Sequence, residues 1–145
     1  MKRIILSIFL ITMLIAPLFG ICGDKQASVT STTVINAQTV VKSGTYTSSA
    51  IDLSNVRGYF SLYYAITGDG TAKFEYLFSS DDSTFLEPSG GSDVATGLTK
   101  TSGPGADGKD VTAFSPFMWG KRMKIKVTET GGVNSITVTA ILNIQ

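Results

Sequence analysis

Apolar and polar residues alternate with a period of two along most of the chain beyond residue 24. In VRGYFSLYYAIT, four apolar residues share one face of a predicted strand: Phe60, Leu62, Tyr64 and Ile66. TAKFEYLFSS repeats the alternation after the sequence GDG. Because Gly accepts positive φ at low cost, we predict that the two strands form a hairpin with a turn at residues 68–70.

The C-terminal end carries the clearest alternation. KRMKIKVTE has apolar residues at every second position, TGGVN predicts a turn, and SITVTAILNI returns with a second apolar face. Shorter signals predict two or three strands in TVINAQTVVKSGTYTSSAIDLS, one in DVATGL and one in TFLE. About eight short strands, joined by Gly-rich turns without a helical period, indicate an all-β antiparallel β-sandwich or jelly roll.

The first 23 residues follow a different pattern. Lys2 and Arg3 precede an apolar run from Ile4 to Phe19, and small residues follow at Gly20 and Gly23. A basic start, an apolar middle and a small-residue end predict a secretory signal peptide with a signal helix over residues 1–23. We assign residues 24–33 to a flexible polar leader and 34–145 to the β-sandwich domain. An uncleaved membrane anchor is the alternative, although a spanning helix needs ~20 apolar residues.

Cys22 is the only cysteine of the chain. LFGIC resembles a bacterial lipoprotein signal, which implies lipidation of Cys22, but Ile21 stands where that signal has a small residue. The folded domain therefore has no disulfide of its own. We expect an exported protein in the periplasm, at the cell surface or outside the cell, with membrane contact only through an uncleaved or lipidated N-terminus.

The charge balance excludes one class of partner. The chain has 12 Lys plus Arg and 11 Asp plus Glu, and removal of Lys2 and Arg3 leaves 10 against 11. A net charge of about −1 provides no general attraction to nucleic acid, so we predict no nucleic-acid binding.

The stretch GPGADGKD, from Gly103 to Asp110, has the spacing of a phosphate-binding loop with Asp in place of Ser or Thr. Such a loop needs a buried strand before it and a helix after it. TGLTKTS before it is polar, and DVTAFSPF after it favours a strand. We therefore predict a long polar connection between strands and no nucleotide site.

Oxygen ligands for Ca²⁺ are the remaining candidate in the same region. Asp107 and Asp110, with Asp93 nearby in sequence, lie among glycines, and Asp81 with Asp82 forms a second candidate. Their spacing does not match the Ca²⁺-loop pattern, and Asp and Gly are also ordinary turn residues. We predict no cofactor and keep Ca²⁺ at Asp107 and Asp110 as the metal alternative.

Catalytic chemistry is poorly supported. The chain has no His, which excludes Ser-His-Asp and Cys-His arrangements. Glu75, Glu87 and Glu129 are the Glu candidates for glycoside hydrolysis, but Glu75 and Glu129 are predicted to face outward from strands or turns. We therefore predict that the protein is not an enzyme.

Two surface features bear on binding. A basic stripe alternates along one strand and is interpreted as a solvated sheet face or protected edge, with an anionic polymer as the alternative: Lys121, Arg122, Lys124 and Lys126. Tyr59 and Tyr63 lie on the second face of their strand, and Trp119 lies in an irregular stretch. Because that strand is apolar on both faces, we expect a contact surface for a subunit or partner, with stacking on sugar as the alternative.

The run SSAIDLSNVRGYFSLYYAITGDGTAKFEYLFSSDDSTFLEP, with KTSGPGADGKD and KIKVTETGGVNSITVTAILNIQ, resembles small uncharacterised β-sandwich proteins among phage structural components and related bacterial proteins. The resemblance implies a decoration- or fibre-type assembly role and carries no catalytic residue. The export signal departs from that pattern and favours an exported bacterial counterpart.

Together these observations predict an exported, non-enzymatic structural or adhesion-type β-sandwich. It would act by self-assembly or by binding another surface protein, through an aromatic face or an exposed edge strand. A carbohydrate-binding module and a phage virion decoration or fibre protein are the alternatives.

Overall fold

The structure of the protein is a computed structural model that describes residues 28–56, 58–115 and 120–145. These residues form nine strands: β1 Thr30–Val40, β2 Thr45–Thr47, β3 Ile51–Asp52, β4 Phe60–Gly68, β5 Ala72–Ser79, β6 Asp93–Leu98, β7 Lys109–Phe114, β8 Arg122–Glu129 and β9 Ile136–Ile144. The described ranges contain no helix, which confirms the all-β prediction. The count of nine differs from the predicted eight, and TFLE is not among the strands, because Leu86 makes only an isolated bridge with Phe78.

The signal peptide and signal helix predicted over residues 1–23 lie outside the described residues, as does Cys22. Among the residues that are described, none belongs to a helix of the length and apolarity that a membrane crossing requires.

Two antiparallel sheets make up the domain. The four-stranded sheet has the order β1-β9-β4-β7. The five-stranded sheet has the order β2-β8-β5-β6, and β3 also pairs with β8. Alternate residues of both sheets face one shared core, in which Leu62 and Ile66 of β4 and Val138 of β9 are almost fully buried. Tyr64 of β4 stacks on Phe74 of β5 with ring centroids 5.7 Å apart, so the two sheets form a sandwich.

The predicted hairpin between β4 and β5 is wrong. β4 pairs with β9 and β7, whereas β5 pairs with β8 and β6, so the turn at residues 68–70 carries the chain from one sheet to the other. The TGGVN turn does the same, because β8 and β9 also lie in different sheets. Alternation identified these strands correctly, but it carries no information about which strands pair.

The two crossings lie against each other at one end of the sandwich. Gly70, in the first turn, has no room for a side chain, since a Cβ there would lie 2.6 Å from the carbonyl oxygen of Asn134 in the second turn. Asn134 also donates from its side-chain amide to the carbonyl oxygen of Asp69, at 3.3 Å. The glycines that suggested a hairpin therefore permit close packing of two crossings.

The boundary of the predicted leader also differs from the structure. β1 begins at Thr30, and residues 30–33, which were assigned to the flexible leader, pair regularly with residues 141–144 of β9. Their polar side chains hid the strand from the sequence pattern, because an exposed edge strand needs no apolar face of its own.

Candidate functional site

The outer face of the four-stranded sheet carries the tyrosines predicted as a binding surface. Tyr63 of β4 lies directly opposite Ile141 of β9 and Val111 of β7, and residues opposite each other in a sheet share a face. We call this surface the neutral face and define it by seven residues: Tyr59, Ser61, Tyr63, Val111, Ala113, Ile141 and Asn143. All seven are uncharged.

Exposure varies across the neutral face. Tyr59, which precedes β4, is 69% exposed, and Val111 is 55% exposed. Tyr63 is half-buried between its two neighbours. Val29, Tyr59 and Asn143 line a shallow depression of about 250 Å³ at one end of the face. Trp119, the third residue of the predicted surface, lies outside the described residues.

The outer face of the five-stranded sheet differs, because it is covered by ion pairs. The Lys73 ammonium lies 3.0 Å from the Glu75 carboxylate and 2.9 Å from that of Asp93. The Lys126 ammonium lies 3.0 Å from Glu75 and also contacts the Glu87 carboxylate. Two lysines and three carboxylates thus form one network.

This network overturns the prediction that Glu75 faces solvent, because the residue is only 6% exposed beneath the two lysines. Burial by itself raises the pKa of Glu75, but hydrogen bonds from Lys126 and Lys73 outweigh it and lower the pKa overall. The carboxylate is therefore a fixed, charged part of the face.

Three residues of the predicted basic stripe lie on β8, and two of these three are ion-paired, whereas Lys121 directly precedes the strand and is exposed. Arg122 donates to the Asp82 carboxylate at 2.9 Å, Lys126 belongs to the ion network, and the Lys124 ammonium lies 4.0 Å from the centroid of the Phe85 ring. β8 lies between β2 and β5, so the protected-edge interpretation is wrong. The stripe is part of the charged outer face, and these pairings favour that interpretation over an anionic polymer.

Glu129, at the end of β8, is the second acid predicted to face outward, and it is only 1% exposed. Its Oε2 accepts hydrogen bonds from the backbone N–H groups of Ser43 at 2.8 Å and Gly132 at 2.9 Å. Its Oε1 accepts from Thr71 at 3.1 Å and Gly131 at 2.7 Å. These bonds, that from Ser43 first, lower the pKa of Glu129 to about 2. The predictable signal for this site was a Glu directly before a Gly-rich turn.

The three Glu residues considered for glycoside hydrolysis are therefore occupied in other ways. Glu75 and Glu87 share Lys126, and Glu129 is enclosed by backbone N–H groups at the end of the sandwich. This arrangement favours structural roles for all three acids.

The predicted Ca²⁺ ligands are also engaged with protein groups. Asp107 Oδ2 lies 3.1 Å from the Lys109 ammonium, and Asp110 Oδ1 accepts from the N–H of Val111 at 2.7 Å. Asp81 accepts from the N–H groups of Ser83 and Thr84, which together lower its pKa. Within the described ranges, no three His, Cys, Asp or Glu residues are grouped so as to hold a metal ion.

The GPGADGKD stretch connects the two edge strands β6 and β7. β7 begins at Lys109, so a strand follows the glycines where a phosphate-binding loop needs a helix. The connection packs on the sheet, since the N–H of Ile66 donates to the carbonyl of Gly108 at 2.9 Å. Gly108 is buried at φ +76°, where L side chains are disfavoured.

No protein-family model matches this chain, and no curated protein matches it. Solved structures do match. The crystal structure of the infectious bursal disease virus VP2 subviral particle is 11% identical with a TM-score of 0.54, over 83% of this chain and 32% of that chain. The structure of the infectious bursal disease virus Gx strain is 14% identical with a TM-score of 0.45, over 81% and 31%.

Of these two, only the first superposes closely enough to indicate a shared fold. This chain spans about a third of the length of both neighbours. The first comparison thus supports a β-sandwich similar to part of the VP2 chain, at an identity that shows the fold alone.

Proposed function

We propose that this protein is an exported, non-enzymatic structural component that self-assembles, and that its neutral face forms one of the contacts between copies. The observation that carries the proposal is the contrast between its two outer faces. One face is covered by the Lys73–Glu75–Lys126 network, whereas the other carries a charge at its end, at Lys109 opposite Ala65, and exposes the uncharged Tyr59 and Val111. Uncharged faces with exposed aromatic residues are typical of contact surfaces.

The path of the chain supports the same role. From β1 to β2, from β4 to β5, from β6 to β7 and from β8 to β9 the chain passes from one sheet to the other. We assign this path to the jelly-roll type, which is common in viral capsid domains. The first structural neighbour is a VP2 subviral particle, and its fold is consistent with an assembly role for this domain.

Export is the part of the proposal that rests on the N-terminal sequence alone. Residues 1–23 have the organisation of a signal peptide, and Cys22 supplies a candidate lipid site. Assembly would then take place at the cell surface, in the periplasm or outside the cell.

Sedimentation velocity tests the self-assembly directly. The natural protein is purified from the producing cells or from their medium, whichever contains it. It is then compared over a wide concentration range with the double variant Tyr59→Ser/Val111→Ser. We expect concentration-dependent association of the natural protein and an association constant lowered roughly tenfold or more in the variant, because two exposed apolar side chains are lost from the contact.

Val133→Ser provides the matched control, because Val133 is 73% exposed but lies in the turn between β8 and β9, away from the neutral face. It should leave association unchanged. A natural protein that stays monomeric at every concentration would contradict the proposal. Equal loss in the control and the double variant would contradict the role of the neutral face.

The carbohydrate-binding alternative has one specific observation in its favour, the shallow depression beside Tyr59. Tyrosine rings can stack on the flat faces of sugars. Binding on a glycan array that disappears in Tyr63→Ala and Tyr59→Ser would favour it, and an array without signal would argue against it.

A further inference from the structure

The four-stranded sheet ends at β1, and the first part of that strand is an open edge. Thr30–Thr33 pair in unbroken register with residues 141–144 of β9, and among the described residues no second strand pairs with them. All four side chains are exposed. Because half of the backbone N–H and C=O groups of such a strand point away from the sheet, this edge can accept another strand.

The other sheet edges in the described ranges are blunted. β7 begins with the charged pair Lys109 and Asp110, and β6 pairs with β5 through register shifts and contains Gly97 at φ +70°. β2 has three residues and β3 has two. Charges, bulges and short length are the usual protections against unwanted strand pairing.

The start of β1 has none of these protections. The whole strand, TSTTVINAQTV, contains neither a charged residue nor Pro. Its register shifts come only after Thr33, so the bulges limit the regular edge to residues 30–33 without interrupting it. Four residues at about 3.4 Å each give an open edge roughly 13 Å long.

Space for the side chains of an added strand lies next to this edge. A groove of about 580 Å³ runs between β1 and residues 49–56, which include β3 of the five-stranded sheet. Thr30 and Thr32 line it on one side, and Ile51 and Val56 line it on the other. An incoming strand would therefore find both backbone partners and a mostly uncharged trough for its alternate side chains.

We propose that the occupant of this edge is β1 of a second copy, paired antiparallel about a twofold axis that passes beside Thr32. The inference rests on the proposed self-assembly and names one of its contacts. Thr32 would then lie opposite Thr32 of the partner subunit, and Ser31 opposite Thr33 of the partner subunit. The two four-stranded sheets would join into one continuous sheet across the pair.

Self-pairing suits this strand because a twofold axis places like residues near each other. A charged edge would bring like charges together, whereas this edge has none. Hydroxyl pairs of the required kind already occur within the molecule: Thr39 with Thr137 at 3.4 Å and Thr45 with Thr128 at 3.2 Å. β1 itself uses Ser31, whose hydroxyl donates to Asn143 Oδ1 at 2.7 Å.

Thr32→Lys tests the contact by placing two ammonium groups across the axis. We expect the association constant to fall roughly 10- to 100-fold, since opposed like charges are strongly unfavourable at an interface. Thr84→Lys is the matched control, because Thr84 is exposed in the connection between β5 and β6, where its backbone N–H donates to Asp81 Oδ1. The control should associate like the natural protein, and both variants should keep its melting temperature.

Hydrogen exchange of the natural protein tests the β1 contact even if Thr32→Lys folds poorly. Amides of residues 30–33 should exchange more slowly in the associated state than at high dilution, while those of β6, in the other sheet, should not change. An unchanged association constant in a folded Thr32→Lys variant, or unchanged exchange at residues 30–33, would overturn this contact and leave self-assembly standing. A natural protein that never associates would overturn both, and protection that needs another protein would overturn the second copy as occupant.

Discussion

Two buried carboxylates are held in opposite ways in this molecule. Glu129 lies at one end of the sandwich, and its partners are backbone N–H groups. Glu75 lies on the outer face of the five-stranded sheet, and its partners are the ammonium groups of Lys73 and Lys126. In both cases the hydrogen bonds lower the pKa of the carboxyl, so both groups remain ionised in the folded protein.

The difference shows that the region around Glu129 determines the path of the chain, whereas the region around Glu75 determines the charge of one outer face. The partners of Glu129 lie on three connections, from β1 to β2 at Ser43, from β4 to β5 at Thr71 and from β8 to β9 at Gly131 and Gly132, and each connection crosses between the sheets. Glu75 instead joins side chains of one face. Glu129 therefore stabilises the fold itself, whereas Glu75 joins charges on the face opposite to the one that we propose as a contact surface.

The largest expected effect is that of Glu129→Gln. The amide replaces one acceptor oxygen with a donor, so backbone N–H groups in all three crossings lose or weaken their bonds. We expect the melting temperature, followed by circular dichroism, to fall by roughly 10 °C. A change below about 2 °C would show that the crossings hold without the carboxylate.

The second largest effect is expected at acid pH, where the contribution of Glu129 to stability is lost. The pKa of Glu129 is lowered from 4.5 to about 2, so its contribution to stability is complete above about pH 4.5 and is lost as the pH falls toward 2. Urea denaturation at a series of pH values should show stability falling through this window. The fall should be shallower in Glu129→Gln, and identical slopes in the two proteins would contradict this assignment.

Glu75→Gln should have the smallest effect on stability, about 1 kcal/mol. Lys73 keeps Asp93 and Lys126 keeps Glu87, so neither ammonium loses all its partners. Urea denaturation at neutral pH measures the change, and sedimentation velocity should show unchanged association. Weakened association would mean that the charged face also takes part in assembly.

Much of the strand content was predictable from alternation. The apolar face of β4, with Phe60, Leu62, Tyr64 and Ile66, lies in the core as predicted, and so does the apolar face of β9. The stretch DVTAFSPF, which was expected to favour a strand, supplies most of β7. These features are local, because alternation along a strand records directly which side chains leave water.

The candidate site was predictable only in part. Tyr59 and Tyr63 do lie on the outer face of β4, but the composition of the neutral face depends on Ile141 and Val111, which reach it through pairing across the sheet. Glu129 was assigned to the outside because a charged residue beside a turn is usually solvated. Its burial depends on N–H groups that are 58 and 86 residues away in the chain.

The sequence by itself determined that this chain is a series of short strands and which face of most strands enters the core, because side-chain alternation is a property of each strand alone. Tertiary structure decided which strands pair, because Gly-rich turns are compatible both with hairpins and with crossings between sheets. Packing of the three crossings around Glu129 favours the second path, and that path places β1 at an open edge and brings the residues of the neutral face together.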